Sequence, residues 1–301
     1  GRVLAAAGNR TRELNDPTAH AEMLAIRAAC AALDQERLTG CDLYVTLEPC
    51  THQGRTPPCV EALINSKVAD VIIAMTDPNP LVAGSSIKKL ENAGINVKQG
   101  LLETEARKLN PGFIKRMTQH LPYTRIKMAM SLDGRTALAN GESQWISSEL
   151  SRRDVHRLRA ASSAVLTSVE TLIKDDASLN ARGLGFDFKP AIRVVVDRTL
   201  KISAQAKIFS IPGQVIIYTE SDNDARINEL ENLGAAVVHL PWSALWLKDI
   251  FLHLAQEFEI NELMVEAGAT FSGVLIEQEL VDELVVYMAP VLLGNDANPL
   301  V

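Results

Sequence analysis

Two hydrophobic patterns interleave along this chain: helical repeats and short solid blocks. Residues 18–33, TAHAEMLAIRAACAAL, place apolar side chains at helical spacing behind Asp16 or Thr18 as a cap, and predict a helix. Residues 42–47 form a short β-branched and aromatic run and predict a strand. VEALINSKV then reads as a helix, ADVIIAM as a buried strand, SSIKKLENAG as a helix and INVKQG as a strand, with the turn-rich DPNPLVAG between them. Strands alternating with helices point to an α/β layer fold with parallel strands.

A helix over ETEARKLNPGFIKRM leads to HLPY, the expected linker. Beyond it the rhythm restarts. TRIKMAMS, AVLTS, AIRVVVD, GQVIIYT, AAVVHL, ELMVEAG and ELVVYMA read as strands with helices between, SELSRRDVHRLRAAS among them. The expected division is therefore one α/β domain over 1–118 and a second over 123–301. GRVLAAAGN reads as the second half of a hairpin, and the last strand-like run lies at the end of the chain. On this reading the first domain lacks its N-terminus and the second its C-terminus.

Composition narrows the classes of function. A chain of 301 residues, 47% hydrophobic and 22% charged, is long enough for two buried cores. Its net charge of -7 argues against a general nucleic-acid or membrane binder, whose target surfaces are anionic. Anionic small substrates stay open through local arginine pockets. No apolar run approaches membrane-spanning length and no signal peptide is visible, so a reducing cytoplasm is expected. Cys30, Cys41, Cys50 and Cys59 all lie in the first fifth of the chain, which suits a local metal site better than a disulfide framework.

His20-Ala21-Glu22 opens the first helix, and Pro49-Cys50 follows a strand thirty residues later. His20, Cys50 and Cys59 are three ligands suited to Zn²⁺ and leave a fourth tetrahedral position to water. Glu22, not itself a ligand, is placed to take a proton from that water and deliver it to a leaving amine. Zinc deaminases carry a related H-x-E…P-C-x-x-C pattern, whereas here eight residues separate Cys50 from Cys59. A lone His-Ala-Glu also arises by chance and paired cysteines can be buried hydrophobes, but the flanking strand and helix favour the metal. Cys30 falls in the apolar pattern of a helix and Cys41 beside a turn glycine, and both read as packing residues.

EPCTHQGRTPPC, DPNPLVAG, SLDGRTALANGESQWI and VEAGATFSG together resemble the bifunctional riboflavin-biosynthesis deaminase/reductases, from about residue 47 to the end. In that family eight residues separate the two cysteines, and the insert contacts substrate. The resemblance implies a cytidine-deaminase-like three-layer domain followed by a dihydrofolate-reductase-like α/β domain, with Zn²⁺ and NADPH as cofactors. It places His52, Arg55, Asp77 and Asn79 against the pyrimidine and ribose phosphate. An arginine beside a turn glycine can meet a phosphate with its planar fork. The first fifty residues, with NDPTAHAE, instead resemble a tRNA adenosine deaminase, so the cysteine loop marks a seam between two resemblances.

In the second half ELMVEAGATFSGVLI reads as strand, glycine turn and helix, a form that offers backbone N–H groups to a phosphate. No GxGxxG is present. The resemblance assigns Ala129, Trp145, Thr171, Asp175 and the turn Gly268, Ala269, Thr270, Phe271, Ser272, Gly273 and Val274 to the cofactor. It assigns Ser143, Arg159, Leu179, Arg182 and Glu266 to the substrate. Lys127 and Asp133 lie in a family-like segment and are expected to order the nicotinamide and substrate. Ala177 stands where the family usually carries proline. The implied activity is hydrolytic deamination of a diaminopyrimidinone ribosylamine phosphate followed by NADPH-dependent reduction of ribosyl to ribityl. Phosphorylated pyrimidines are then the partners, with no nucleic acid or membrane, in an assembly of like subunits. The alternatives are a reductase with a crippled deaminase half and a tRNA adenosine deaminase-like activity.

Overall fold

Wherever the sequence offers a β-branched block between turn residues, the chain lays down a parallel strand. The structure is a computed structural model and describes residues 1–11, 13–14, 16, 18–51, 58–140 and 148–300. The chain divides into two compact units, Gly1–Thr118 and Gln119–Val301. Among the described residues no helix is long and apolar enough to cross a membrane.

The first unit runs α1 (Ala21–Leu33), β1 (Asp42–Val45), α2 (Cys59–Ser66), β2 (Asp70–Ile73), α3 (Ser85–Asn92), β3 (Asn96–Gln99), α4 (Glu103–Leu109) and α5 (Pro111–Gln119). Its three strands pair in parallel in the order β1-β2-β3. Val71 and Ile73 of β2 point the same way because side chains alternate along a strand. They meet Ile26 and Ala29 of α1, Val60 and Leu63 of α2, and Ile87 and Leu90 of α3, and Cys30 and Cys41 pack against this core. A second cluster joins Ala74 and Met75 to Ala106 of α4, with Ile114 of α5 against it.

Three local expectations are corrected. α1 starts at Ala21 rather than at residue 18, because the Thr18 amide and hydroxyl both donate to Asp16 Oδ1, at 2.8 and 2.7 Å, and close a turn ahead of the helix. The single helix expected over ETEARKLNPGFIKRM breaks at Asn110, since Pro111 has no N–H and pushes the preceding residue out of the helical region. Residues 1–10 form no strand. Leu4 and Ala5 pack on the core, but the segment pairs with none of the three strands.

The second unit runs β4 (Tyr123–Ser131), β5 (Arg135–Ala137), α6 (Glu149–Ala161), β6 (Ala164–Ser168), α7 (Val169–Asp175), β7 (Ile192–Val196), β8 (Val215–Thr219), α8 (Asp224–Asn232), β9 (Ala235–His239), α9 (Trp246–Glu257), β10 (Glu262–Val265), α10 (Ala269–Glu277), β11 (Glu283–Ala289) and β12 (Asn298–Pro299). Seven parallel strands make one sheet in the order β11-β4-β10-β6-β7-β8-β9, while β5 and β12, which the hydrophobic pattern does not announce, pair antiparallel.

Alternation along these strands builds two cores. Val194, Val196, Ile216 and Tyr218 face α9 and α10, where Trp246, Ile250, Phe251, Leu254 and Leu275 are buried. Val195, Val215 and Ile217 face Val155 of α6, Val169 and Leu172 of α7 and Leu230 of α8. Each fully buried large apolar side chain contributes about 1.5–3 kcal/mol. Helices therefore cover both faces of the sheet, and its solid apolar strands follow from that double burial. The order reverses around β10, which lies between β4 and β6 although it follows β9 in sequence. Crevices at the carboxyl ends of strands beside such a reversal are where open α/β sheets place ligands.

Candidate functional site

In the first unit three soft donors converge. His20 is the N-cap of α1, and its ring is free of capping duty. Cys50 lies in the loop after β1, and Cys59 is the first residue of α2. The donor atoms of His20, Cys50 and Cys59 all lie within 4.8 Å of one another, with His20 Nδ1 3.4 Å from Cys59 Sγ. Donors around a tetrahedral zinc, with bonds of roughly 2.0–2.3 Å, sit about 3.3–3.8 Å apart, so this set fits that ion. The Cys59 amide donates to Cys50 Sγ at 3.3 Å. The hydrogen bond from Cys59 is the largest cause that pushes the Cys50 thiol down to about 6, while Cys59 itself is pushed up, first by that same pairing and then by burial. One thiolate thus forms readily, and a cation is what would charge the second. Glu22, in the first turn of α1, lies close enough to the ligands for its charge to add to the upward push on Cys59.

Glu48 is a residue that sequence reading missed. It is 3% exposed, immediately before Pro49-Cys50, and its carboxylate accepts the amides of Asp77 (3.2 Å), Gly84 (2.9 Å) and Ser86 (3.1 Å) and the Ser86 hydroxyl (2.7 Å). It therefore ties the ligand loop to the loop of Asp77 and Asn79. The signal available was a carboxylate wedged between strand and proline with no basic residue nearby. Asp77 Oδ1 accepts from the Asn79 amide and Asn79 Oδ1 from that of Leu81, so both shape the turn. Thr51 and Ser85 link the same two loops through hydroxyls 2.7 Å apart. His52 and Arg55 lie outside the described residues, as do Ser143 and Trp145.

In the second unit a charged cluster sits at the carboxyl end of β10, beside the middle of β4. Glu266 directly follows β10 and receives Arg159 of α6 through two parallel bonds, Nε to Oε1 at 2.5 Å and Nη2 to Oε2 at 2.9 Å. Arg159 Nη1 also donates to the Asn180 carbonyl at 3.0 Å, and Lys127 of β4 stands 3.8 Å from Glu266. Burial opposes charge on Glu266, but Arg159 first and then Lys127 outweigh it and hold the carboxyl below its ordinary range. Arg182 is exposed and donates to Asn180 Oδ1 at 3.3 Å. Leu179 takes a left-handed backbone, φ 54°, which turns the chain at Asn180, while its own side chain is 2% exposed in the core. That conformation is costly for a branched residue and is stored where the loop meets Arg159.

The glycine turn follows. The Gly268 amide donates to Thr171 Oγ1 at 3.2 Å, and a Cβ at Gly268 would come within 3.8 Å of that hydroxyl. Gly268 caps α10 with no side-chain acceptor, so the amides of its first turn are uncapped, a form suited to a phosphate. Ser272 is fully buried with no partner for its hydroxyl among the described residues. Ala269 is half-buried and Thr270 exposed, whereas Phe271 and Val274 pack on the core and Gly273 is helical. Ala129 is half-buried in β4 opposite Tyr287, and Asp175 is exposed at the end of α7. Asp133 accepts from Ser131 Oγ (2.5 Å) and from the amides of Leu293 and Gly294, tying two loops together.

Comparison with known proteins decides the family. Residues 122–301 match the family model of the RibD C-terminal domain, and residues 1–75 that of the cytidine and deoxycytidylate deaminase zinc-binding region. The riboflavin biosynthesis protein RibD of Escherichia coli (strain K12) is 43% identical over 93% of this chain and 77% of its own length. This chain belongs to the RibD family. Among solved structures, Acinetobacter baumannii RibD superposes with a TM-score of 0.85 at 42% identity, over 93% of this chain and 76% of that one. A Thermotoga maritima diaminohydroxyphosphoribosylaminopyrimidine deaminase/5-amino-6-(5-phosphoribosylamino)uracil reductase gives 0.79 at 32% identity, over 93% and 76%. The RibD match runs through both units, so the cytidine-deaminase-like fold of the first and the reductase fold of the second are features of one family.

Proposed function

We propose that this chain performs two steps of riboflavin biosynthesis, deaminating a diaminopyrimidinone ribosylamine phosphate and then reducing its ribosyl group to ribityl. What carries the reading is the convergence of His20, Cys50 and Cys59 beside Glu22 in the same chain as the RibD reductase unit.

In the first unit His20, Cys50 and Cys59 would hold the zinc, which supplies a Lewis acid and lowers the pKa of a water. Glu22 takes a proton from the attacking water and returns it to the exocyclic nitrogen. Oxygen becomes bonded to the ring carbon, the carbon–nitrogen bond breaks, and ammonia leaves. Glu48 keeps Asp77 and Asn79 in place across the ligand loop, and the family resemblance assigns His52 and Arg55 to the substrate.

In the second unit NADPH supplies the hydride. The amides at the start of α10, with Thr171 and the Gly268 turn, would hold it, and the family resemblance adds Ala129, Trp145 and Asp175 to that site. Arg182 has donors free for the substrate phosphate, while Arg159 is committed to Glu266. Glu266, ionised by Arg159 and Lys127, orients the substrate as an acceptor, together with Ser143 and the backbone at Leu179.

The setting we infer is the cytoplasm, where reduced thiols keep Cys50 and Cys59 available. Small phosphorylated pyrimidines, not nucleic acid, are the partners. Assembly of like subunits is supported by the edge strand β11, which exposes Leu284 and Met288 beside Val291 and Leu292.

Separate assays of the half-reactions test the function. The expected result is ammonia release from the aminated substrate and NADPH oxidation by the deaminated one. NADPH oxidation without ammonia release would leave a reductase alone.

A further inference from the structure

One face of α6 carries a basic stripe with no part in the scheme above. Leu150, Arg153, Asp154 and Arg157 recur at spacings of three and four residues and so lie along one side of the helix. Arg159, which is bound to Glu266, projects nearly opposite to Arg157, because residues two apart in a helix point to different sides. Leu184 and Phe186, from the segment between α7 and β7, line a cavity of about 440 Å³ together with this stripe, wholly within the second unit. A space of that size suits a small organic ligand.

The walls define what fits. Arg125, Arg159, Arg198 and Arg226 of the same unit are each held by a carboxylate. Arg153 and Arg157 are exposed and form no hydrogen bond or ion pair among the described residues. Two free guanidinium forks one helical turn apart can close on a single phosphate. Phe186 is 54% exposed, with Phe188 edge-on to it at 6.2 Å, and offers a planar ring a face to stack on. The carboxylate on the wall, Asp154, accepts the Tyr287 hydroxyl at 2.8 Å through one oxygen, and its other oxygen can accept the N–H of a heterocycle.

We propose that this cavity is a second small-molecule site, which takes a phosphate monoester carried by a planar heterocycle with an N–H. Arg153 and Arg157 hold the phosphate and Phe186 stacks on the ring. The site is separate from the cleft of Arg159 and Glu266 and goes beyond the two half-reactions. Two sources share this chemistry: a phosphorylated flavin, and the enzyme's own phosphoribosyl pyrimidine bound a second time.

Calorimetric titration of riboflavin 5′-phosphate, riboflavin and 5-amino-6-(5-phosphoribosylamino)uracil into the NADP⁺-saturated protein tests this, comparing the wild type with Arg153→Gln/Arg157→Gln and with Phe186→Ala. All three side chains are exposed, so melting temperatures should match. A flavin source gives saturable binding of riboflavin 5′-phosphate that is about tenfold or more weaker without the phosphate or in the double variant, and weakened also in Phe186→Ala. A pyrimidine source gives two equivalents bound per chain, the second lost in both variants and the first kept. Either pattern supports the site. Binding that is equal in wild type and variants, or no binding beyond one pyrimidine equivalent, overturns it. Loss of that single equivalent in the double variant also overturns it, by placing both arginines in the reductase cleft. Without added flavin, NADPH oxidation by the variants should equal that of the wild type, so failure of this site and failure of the proposed activity are read separately.

Discussion

Glu48 accepts both the hydroxyl of Ser86, at 2.7 Å, and its amide, at 3.1 Å. With the Asp77 and Gly84 amides, four donors converge on this one carboxylate from a loop that precedes and opens α3. Glu48→Gln replaces one acceptor oxygen with an NH₂ that faces donors, and should cost roughly 1–3 kcal/mol in urea unfolding. Ammonia release should fall with zinc content retained, because the loop of Asp77 and Asn79 shifts while His20, Cys50 and Cys59 stay. A variant with full activity would show that this loop needs no anchor.

Ligand and proton carrier should separate cleanly. His20→Ala or Cys59→Ala removes one of three donors that lie within 4.8 Å of one another, and metal analysis should find zinc lost. Glu22→Gln should keep the zinc and lose about 10²–10⁴ in deamination rate. NADPH oxidation with the deaminated substrate should be unaffected in all three. A Glu22→Gln variant that still releases ammonia at the normal rate would remove Glu22 from the chemistry.

Much of this was legible from pattern alone, for identifiable reasons. The seven strands of the second sheet were readable because burial on both faces makes each a solid apolar block, as in VIIYT of β8. That His20, Cys50 and Cys59 converge was readable because their residue types and pattern are chemically restrictive. Glu48 was not, since a buried carboxylate that serves backbone amides leaves no periodic trace. The Arg159–Glu266 bond joins residues far apart in sequence, and only the placement of β10 between β4 and β6 brings α6 over it. Asp133 lay in a family-like segment, yet its partners at Leu293 and Gly294 arrive from the other end of the unit. The breaks at Asp16–Thr18 and Pro111 are local side-chain and ring effects that override helical periodicity.

Arg159→Gln should be among the most destabilising single changes in the second unit. It leaves Glu266, 12% exposed, without its bidentate partner, and loss of one member of such a pair costs about 3–5 kcal/mol. The sign with pH is fixed by the depressed carboxyl. Its contribution is present above the unfolded value near 4 and is lost as pH falls below it. Urea midpoints should therefore differ most near neutrality, and the gap should narrow below pH 4. A gap that stays constant across that range would mean that the arginine acts through packing.

Asp133 offers a second pH test. Ser131 Oγ and then the Gly294 amide hold its carboxyl down to about 2, so its tether is intact above pH 4 and released as pH falls toward 2. Asp133→Asn should lower the melting temperature at pH 6 and have little effect near pH 2. An equal drop at both values would separate the tether from ionisation.

Arg182 differs from Arg159 in what it has left to give. It is exposed and, among the described residues, makes one long bond to Asn180, while Arg159 is occupied by Glu266 and a carbonyl. Arg182→Ala should then weaken the phosphorylated pyrimidine by about 10–100-fold, the range expected for charge-assisted hydrogen bonds. Its dephosphorylated counterpart should bind wild type and variant alike, and KM for NADPH should not move. Because the cofactor also carries phosphates, equal weakening of NADPH and pyrimidine would mean that Arg182 supplies a general positive field to the cleft, and the assignment to the ribosyl phosphate would fall.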